Sequence, residues 1–389
     1  MFSSQDISNN SRIQNNSLKL WWSSLDRFSI GVIFIIATFS LVMVTTASPA
    51  VAHRINVEPF YFMKRQIIYI VAGLVSMIWI SFFSVNTVKR FAIIGFFLSL
   101  AALMLVFFWG YEVKGAKRWL SIAGLSFQPS EFAKSFFTVL TAWVLSIKYE
   151  EADFPAFKVS LALYLIFIAL LLMQPDFGMM VSVSIIWIGQ LFVAGLSLIW
   201  FFALAIFSVA TLSCSYIFLP HVQQRIDSFL NPENFENYQI KKSLEAFKHG
   251  GFYGVGPGEG VVKQHIPDSH ADFIFAVIGE EMGFIVCLFL LIMFALLVIR
   301  GLYIVAFGSN NFSILAVSGI LIQIGIQSVF NMGMALHLLP TKGIALPLIS
   351  YGGSSILSTF ILLGIMLAFT RKRYDVIMLP TRNYRMNIQ

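Results

Sequence analysis

The chain has 389 residues, of which 58% are hydrophobic and 12% charged, with a mean hydropathy of +0.81 and a formal net charge of +7. Soluble domains carry about 25% charged residues, so this composition excludes an ordinary soluble domain and points to an integral membrane protein. Lys and Arg fall in short loops between apolar runs and build no basic domain, which excludes nucleic acid; the positive balance suits anionic lipid headgroups or an anionic lipid substrate.

The leader, residues 1–27, is rich in Ser, Asn and Gln at its start and reads as disordered. The first apolar run lacks a small-residue cleavage site and reads as a retained span. A spanning helix needs roughly 17–25 apolar residues. Phe28–Thr46, Gln66–Phe83 and Phe91–Trp109 qualify, and Phe132–Ile147 is a shorter fourth. From Val159 to Leu219 there is one charge, Asp176. At 1.5 Å per residue that stretch is about 90 Å long, enough for three spans. Gln174-Pro175-Asp176 removes a helix donor and starts a turn, and Ala194-Gly195-Leu196-Ser197 supplies the second break. A polar stretch over 220–272 follows. Phe273–Ile299, Phe312–Leu336 and Leu348–Phe369 bring the total to ten. Cys214 and Cys287 both lie in apolar runs and read as free thiols.

The expected fold is therefore an all-α integral membrane protein of about ten transmembrane helices. A membrane domain spans 28–370, with one large extracytoplasmic loop (220–272) between helices 7 and 8 and a basic tail over 371–389. With both termini inside, Lys and Arg divide 13 inside and 13 outside. Long loops count little in this rule. Setting aside the five cations of the 220–272 loop leaves 13 against 8 and places both termini in the cytoplasm. The cluster Arg371-Lys372-Arg373 after the last span anchors that orientation. The outer cations Lys114, Lys117, Arg118 and Lys342 then call for an anionic ligand on the outer face. No internal period of 20–50 residues suggests a solenoid.

The junction of the outer loop with the eighth span carries the chemistry. Asp272 ends the loop, and Glu280 and Glu281 follow inside the apolar run. A charge in hydrocarbon costs about 2.5–3.5 kcal/mol even on the mild insertion scale, so carboxylates here are functional candidates. For Asp272 alone, a helix-start carboxylate favoured by the dipole is an equal reading. Glu280 lies eight residues on, about two turns, and shares a face with Asp272 only if the helix begins at or before Asp272. Glycines 254, 256, 258 and 260 lack the strand and βαβ unit of a nucleotide loop and read as a flexible, close-packed turn at the membrane surface. His265, Asp268, His270 and Asp272 match no standard zinc spacing. A loosely bound divalent ion bridging a phosphate stays open.

Three further outer-face features converge. Lys117 and Arg118, in Gly115-Ala116-Lys117-Arg118-Trp119, read either as interfacial anchors or as a pyrophosphate clamp. Ser130 and Glu131 read as a helix start. Gln174-Pro175-Asp176-Phe177-Gly178 reads as a hairpin cap with a buried carboxylate. Leu339-Pro340-Thr341-Lys342-Gly343, Pro347 and Ser350-Tyr351-Gly352-Gly353 break the last span. Irregular backbone at that depth is tolerated where it lines a protein cavity. Ser350, Gly352 and Gly353 would line that cavity, with Lys342 at its mouth, as an amphipathic anionic lipid requires.

The runs IPDSHADFIFAVIGEEMG, LPTKGIALPLISYGGSS, PDFG and GAKRWL…QPSEFAK resemble the SEDS family of bacterial wall proteins, in order and from about Asp26 to Arg373. Thr341-Lys342-Gly343 and Ile278-Gly279-Glu280-Glu281 look more like the division members than the elongation members. The resemblance implies a peptidoglycan glycosyltransferase that polymerises lipid II, a disaccharide-peptide on undecaprenyl pyrophosphate, at the outer face of the inner membrane. It matches the family's essential aspartate to Asp272; Ser269 and Ala271 depart mildly from the pattern. It implies a class B penicillin-binding protein and other divisome membrane proteins as partners. Asp272 is then the general base, Lys117, Arg118 and Lys342 the pyrophosphate clamp, and Glu280 and Glu281 cavity-lining or cation-paired groups. A lipid II flippase and a scaffold recruiting a transpeptidase are the rival readings. The first lacks the inverted repeat common in transporters, and the second would not need Asp272.

Overall fold

A computed structural model describes residues 19–113, 116–122, 125–218, 238–308, 310–340 and 343–371, together with Gln223, Asp227 and Phe229. The expected leader up to residue 18, Lys114, Thr341, Lys342, much of 219–237 and the tail beyond Arg371 lie outside the described residues. Each of the ten apolar segments is helical: α1 (Arg27–Arg54), α2 (Tyr61–Ser81), α3 (Val85–Trp109), α4 (Pro129–Ile147), α5 (Ala156–Met173), α6 (Phe177–Val193), α7 (Leu198–Phe218), then α8 (Tyr238–Gly250) within the long loop, α9 (Ile274–Ala306), α10 (Asn311–Ala335) and α11 (Gly353–Thr370). Among the described residues, seven are long and apolar enough to cross a membrane, and α6 is a shorter apolar helix of 17 residues. The protein is a mostly helical, multi-pass membrane protein.

Local chemistry sets the helix ends. Asp26 caps α1 by accepting from Ser29 N at 3.2 Å, and Arg300 near the far end of α9 donates Nη2 to its Oδ1 at 2.8 Å. Burial pushes the Asp26 carboxyl up, but the bonds from Arg300 and Ser29 outweigh it and hold it below the usual carboxylate range. Ser84 and Asn310 cap α3 and α10 in the same way. The break at Gln174-Pro175-Asp176 falls where expected, with Asp176 capping α6 through Met179 N at 3.3 Å. α1 holds 28 residues, about 42 Å, and overshoots a bilayer core. Its C-terminal end reaches the loop before α9, where Arg54 Nη2 donates to Ile266 O at 2.7 Å.

α4, α10 and α11 form the interior, and α1, α2, α3, α5, α6 and α9 pack around them. Exposed side chains such as Ile68, Val75 and Trp79 on α2 and Phe97, Leu98 and Phe108 on α3 face lipid. Lipid tails are as apolar as leucine, so packing and inter-helix hydrogen bonds hold the bundle together. Thr138 donates to Gln323 Oε1 at 2.9 Å and Thr141 to Gln190 Oε1 at 2.6 Å, while Gln190 Nε2 donates to Thr138 O at 2.7 Å. These bonds join α4, α6 and α10 deep in the core, each contributing about 0.6 kcal/mol in such settings.

Two features depart from the expected fold of helices alone, with a break only in the last of them. Between α3 and α4 the chain forms a small antiparallel sheet in the order β1 (Tyr111–Val113), β2 (Ala116–Ile122), β3 (Leu125–Phe127). The apolar helix α9 is also broken. Gly283 has φ 76° and ψ −178°, a conformation outside any helix and one that favours glycine. It divides α9 into a buried half-helix, residues 274–282, and a longer lipid-facing part. The long loop supplies the backbone partners lost at the break. Phe284 N donates to Gly251 O at 2.9 Å, Val255 N to Glu280 O at 3.0 Å and Gly256 N to Glu281 O at 2.9 Å. The glycine-rich turn is thus a close-packed seat for the half-helix. A side chain on Gly254 would collide with the Glu281 carbonyl.

Candidate active site

Asp272 stands two residues before the half-helix and is half-buried. The helix begins at Ile274, after Asp272, so the condition for Asp272 and Glu280 to share one face is not met. Its neighbour across the site is the irregular segment that precedes α11. A side chain on Gly343 would lie 3.3 Å from Asp272 Oδ2, so glycine there leaves room beside the carboxylate. Gly343 also has φ 61°, and Lys342 immediately before it lies outside the described residues.

The segment 343–352 meets the requirement that buried irregular backbone find partners. Asn331 Nδ2 donates to Ile344 O at 2.8 Å. Leu346 N donates to Ser350 Oγ at 2.8 Å, and Ser350 N to Leu346 O at 3.0 Å. Ser40 Oγ donates to Ile349 O at 3.0 Å and accepts in turn from Gln66 Nε2 at 2.8 Å. Tyr351 packs against Phe62 and His270, with ring centroids 4.9 and 5.2 Å away. Gln128 N donates to Ser354 Oγ at 2.9 Å, which joins the end of the small sheet to the first turn of α11.

Glu280 and Glu281 are fully buried and engaged within the protein. Glu280 accepts from Val262 N at 2.7 Å, Lys263 N at 2.8 Å and His249 Nδ1 at 3.0 Å. Glu281 forms an ion pair with Lys263, whose ammonium also donates to Thr46 O at 3.0 Å and Gly258 O at 3.1 Å. Of the two readings, cavity-lining or cation-paired, Glu281 takes the cation-paired one through Lys263, and Glu280 accepts from loop N–H groups and His249. Both carboxylates bind the long loop to the half-helix, Glu280 through both oxygens and Glu281 through Oε1, while Glu281 Oε2 is buried without a hydrogen-bond partner among the described residues. Ser350 is likewise buried, with its hydroxyl taken by backbone on both sides. Gly353 serves packing: a side chain there would press on the Tyr69 ring at 2.6 Å. Gly352 is half-buried, and a side chain there would meet only Ser355, at 3.8 Å.

The two clamp cations diverge. Lys117 is exposed on β2, opposite Glu112. Arg118 donates Nη2 to Pro175 O at 2.5 Å and Nε to Gln174 O at 3.3 Å, with Nη1 3.9 Å from Asp176 Oδ1. It holds the turn between α5 and α6. Burial raises the Asp176 carboxyl, against the pull of Arg118. Near them Lys134 is completely buried and pairs with Glu131 at 2.8 Å. Among the described residues His265, Asp268, His270 and Asp272 do not assemble into a metal-holding group of three.

Lys134, Lys263 and Asn331 are further buried polar residues at the site that the motifs do not single out. Lys134 had a signal, as a cation three residues after Glu131 in an apolar run. Asn331 had one too: Gln323, Gln327 and Asn331 recur every four residues along an apolar helix and share one buried face. Lys263 had none, since its partner is 18 residues away across a turn.

Residues 26–375 match the family of FtsW, RodA and SpoVE, described as cell cycle protein. The chain belongs to that family. It is 37% identical over 363 residues to the probable peptidoglycan glycosyltransferase FtsW of Caulobacter vibrioides, covering 93% of each chain. The protein of the same name in Idiomarina loihiensis is also 37% identical, over 90% of this chain and 87% of that one. Among solved structures, a chain of a peptidoglycan synthase complex that coordinates polymerization and crosslinking superposes with a TM-score of 0.75 at 28% identity, covering 90% of this chain and 99% of that one. The rod shape determining protein RodA of Thermus thermophilus superposes at 0.66 with 27% identity, over 91% and 99%. This family membership agrees with the motifs around Asp272, Lys342 and Arg118.

Proposed function

We propose that this protein is the peptidoglycan glycosyltransferase of septal wall synthesis, polymerising lipid II at the outer face of the inner membrane. The observation that carries the reading is the half-buried Asp272 carboxylate. It is set before a buried half-helix and beside Gly343, on a broken-helix segment that leaves it room. Asp272 accepts the proton of the acceptor sugar's 4-hydroxyl. That oxygen bonds to C1 of the donor sugar with inversion, the C1–O bond to pyrophosphate breaks, and the electron pair leaves on undecaprenyl pyrophosphate. Cations stabilise that leaving group, so a single base suffices. Lys117 and Lys342 are the cations proposed for this clamp, and Arg118 adds charge while holding the adjacent turn. A class B penicillin-binding protein is the proposed partner, in keeping with the synthase complex that this chain resembles.

Purified protein, reconstituted with lipid II and with or without such a partner, tests the reading. Glycan strands in either mixture are expected; translocation of lipid II without polymer would replace it with a flippase. Lys117→Ala is expected to lower turnover severalfold while leaving membrane abundance unchanged, because Lys117 is exposed. Turnover equal to the parent would reduce Lys117 to an interfacial anchor.

The reading also requires ten crossings, with Asp272 outside. Ser269 is buried, so a thiol probe belongs on the exposed Tyr253 of the same loop. With Cys214 and Cys287 replaced, Tyr253→Cys is expected to react with an impermeant reagent in intact cells, and Asn311→Cys at the start of α10 is not. The reverse pattern would put the loop in the cytoplasm and end the polymerase assignment.

A further inference from the structure

Three successive carbonyls lead into the half-helix, and each is held from across the site. Tyr351 N donates to His270 O at 2.9 Å, Ser350 Oγ to Ala271 O at 2.7 Å and Asn331 Nδ2 to Asp272 O at 2.9 Å. Asn331 differs from the other two because the same Nδ2 also donates to Ile344 O at 2.8 Å. A carboxamide nitrogen carries two hydrogens, so one buried group joins Asp272 to the backbone just past Gly343. The two carbonyls also decide which way the amide faces, since a flipped Asn331 would set oxygen against oxygen twice. Asn331 is fully buried, on a helix fixed to α4 through Gln323 and Thr138.

We propose that Asn331 is a positioning residue for glycosyl transfer. It holds Asp272 and the backbone at 343–344 in one register, so that the base keeps one position toward the lipid-linked substrate. The proposal rests on the reading of Asp272 as base. Asn331 is buried behind Asp272 and acts through it. Without its amide, two buried carbonyls lose their donor and the two segments can separate. A misplacement of about 1 Å in such a site costs about 10²-fold in rate.

The test compares Asn331→Leu, Asn331→Gln and Ser350→Ala in reconstituted protein. Leucine matches the volume and removes both donations; glutamine keeps the amide on a longer stem. Asn331→Leu is expected to lower kcat by about 10²-fold with the KM for lipid II unchanged, and Asn331→Gln to recover part of the loss. Amide exchange over 268–273 should rise in the leucine variant while α11 keeps its protection. Combined with Ser350→Ala, the losses should be less than additive, because both side chains hold one carbonyl triplet. Unchanged kcat, exchange that rises equally through α11, or strict additivity would overturn the proposal. If Asn331→Leu does not insert, Asn331→Gln combined with Ser350→Ala carries the same cycle and exchange measurement. A parent protein that leaves lipid II unpolymerised would sink the polymerase reading, and the exchange measurement would still decide whether Asn331 holds the segment.

Discussion

Asp272→Asn is expected to leave a folded, membrane-inserted protein whose lipid II polymerisation falls by about 10²–10⁴-fold, the usual cost of losing a general base. Asparagine keeps the shape of the side chain. The contact from Asn331 is to the Asp272 main-chain carbonyl and survives the change, so the half-helix keeps its seat. The loss should fall on kcat with little change in KM, since proton removal develops in the transition state. Turnover measured beside thermal unfolding separates chemistry from folding. Near-parental glycan synthesis by this variant would remove Asp272 from the mechanism.

Lys263→Met is expected to have the largest effect on stability. Lys263 is buried, pairs with the buried Glu281 and donates to Thr46 O and Gly258 O. Removing one partner of a buried pair leaves an uncompensated charge and costs about 3–5 kcal/mol. The loop, the C-terminal part of α1 and the half-helix should loosen together, seen as lower abundance and a lower unfolding temperature in detergent. Adding Glu281→Gln removes the stranded charge and should restore much of the loss. A single variant as stable as its parent would mean that water or another group already neutralises Glu281. A double variant no better than the single would place the cost in the lost contacts to Thr46 and Gly258.

Much of the architecture was legible in the chain. The break at Gln174-Pro175-Asp176 falls between α5 and α6, and that at Ala194-Gly195-Leu196-Ser197 between α6 and α7, because proline and glycine act locally on the backbone. Asp272 stood out because a carboxylate at the lip of an apolar run is costly wherever the run sits. The glycine turn over 254–260 reads as flexible and close-packed, and the close packing is there, against residues 280–282. The break at Gly283 was not legible. A single glycine in an apolar run leaves hydropathy unchanged, and this break exists because residues 251–256 take over the backbone hydrogen bonds there. The small sheet before α4 was missed, since strands of three, seven and three residues are too short for a clear period.

Sequence by itself determined the solvent class, the positions of the apolar helices, the family resemblance and the choice of Asp272 as the candidate base. Each rests on composition or on motifs read within a few residues. Tertiary structure alone decided what the buried charges and amides do. Glu281 meets a lysine 18 residues away, Arg118 meets carbonyls 56 and 57 residues away, and Asn331 meets the Asp272 carbonyl across 59 residues. In an apolar medium a polar group must find a partner, but hydropathy says only that the need exists. Which partner answers it depends on helix packing: Glu280 and Glu281 meet donors of the long loop, and Ser350 meets the Ala271 carbonyl beside Asp272.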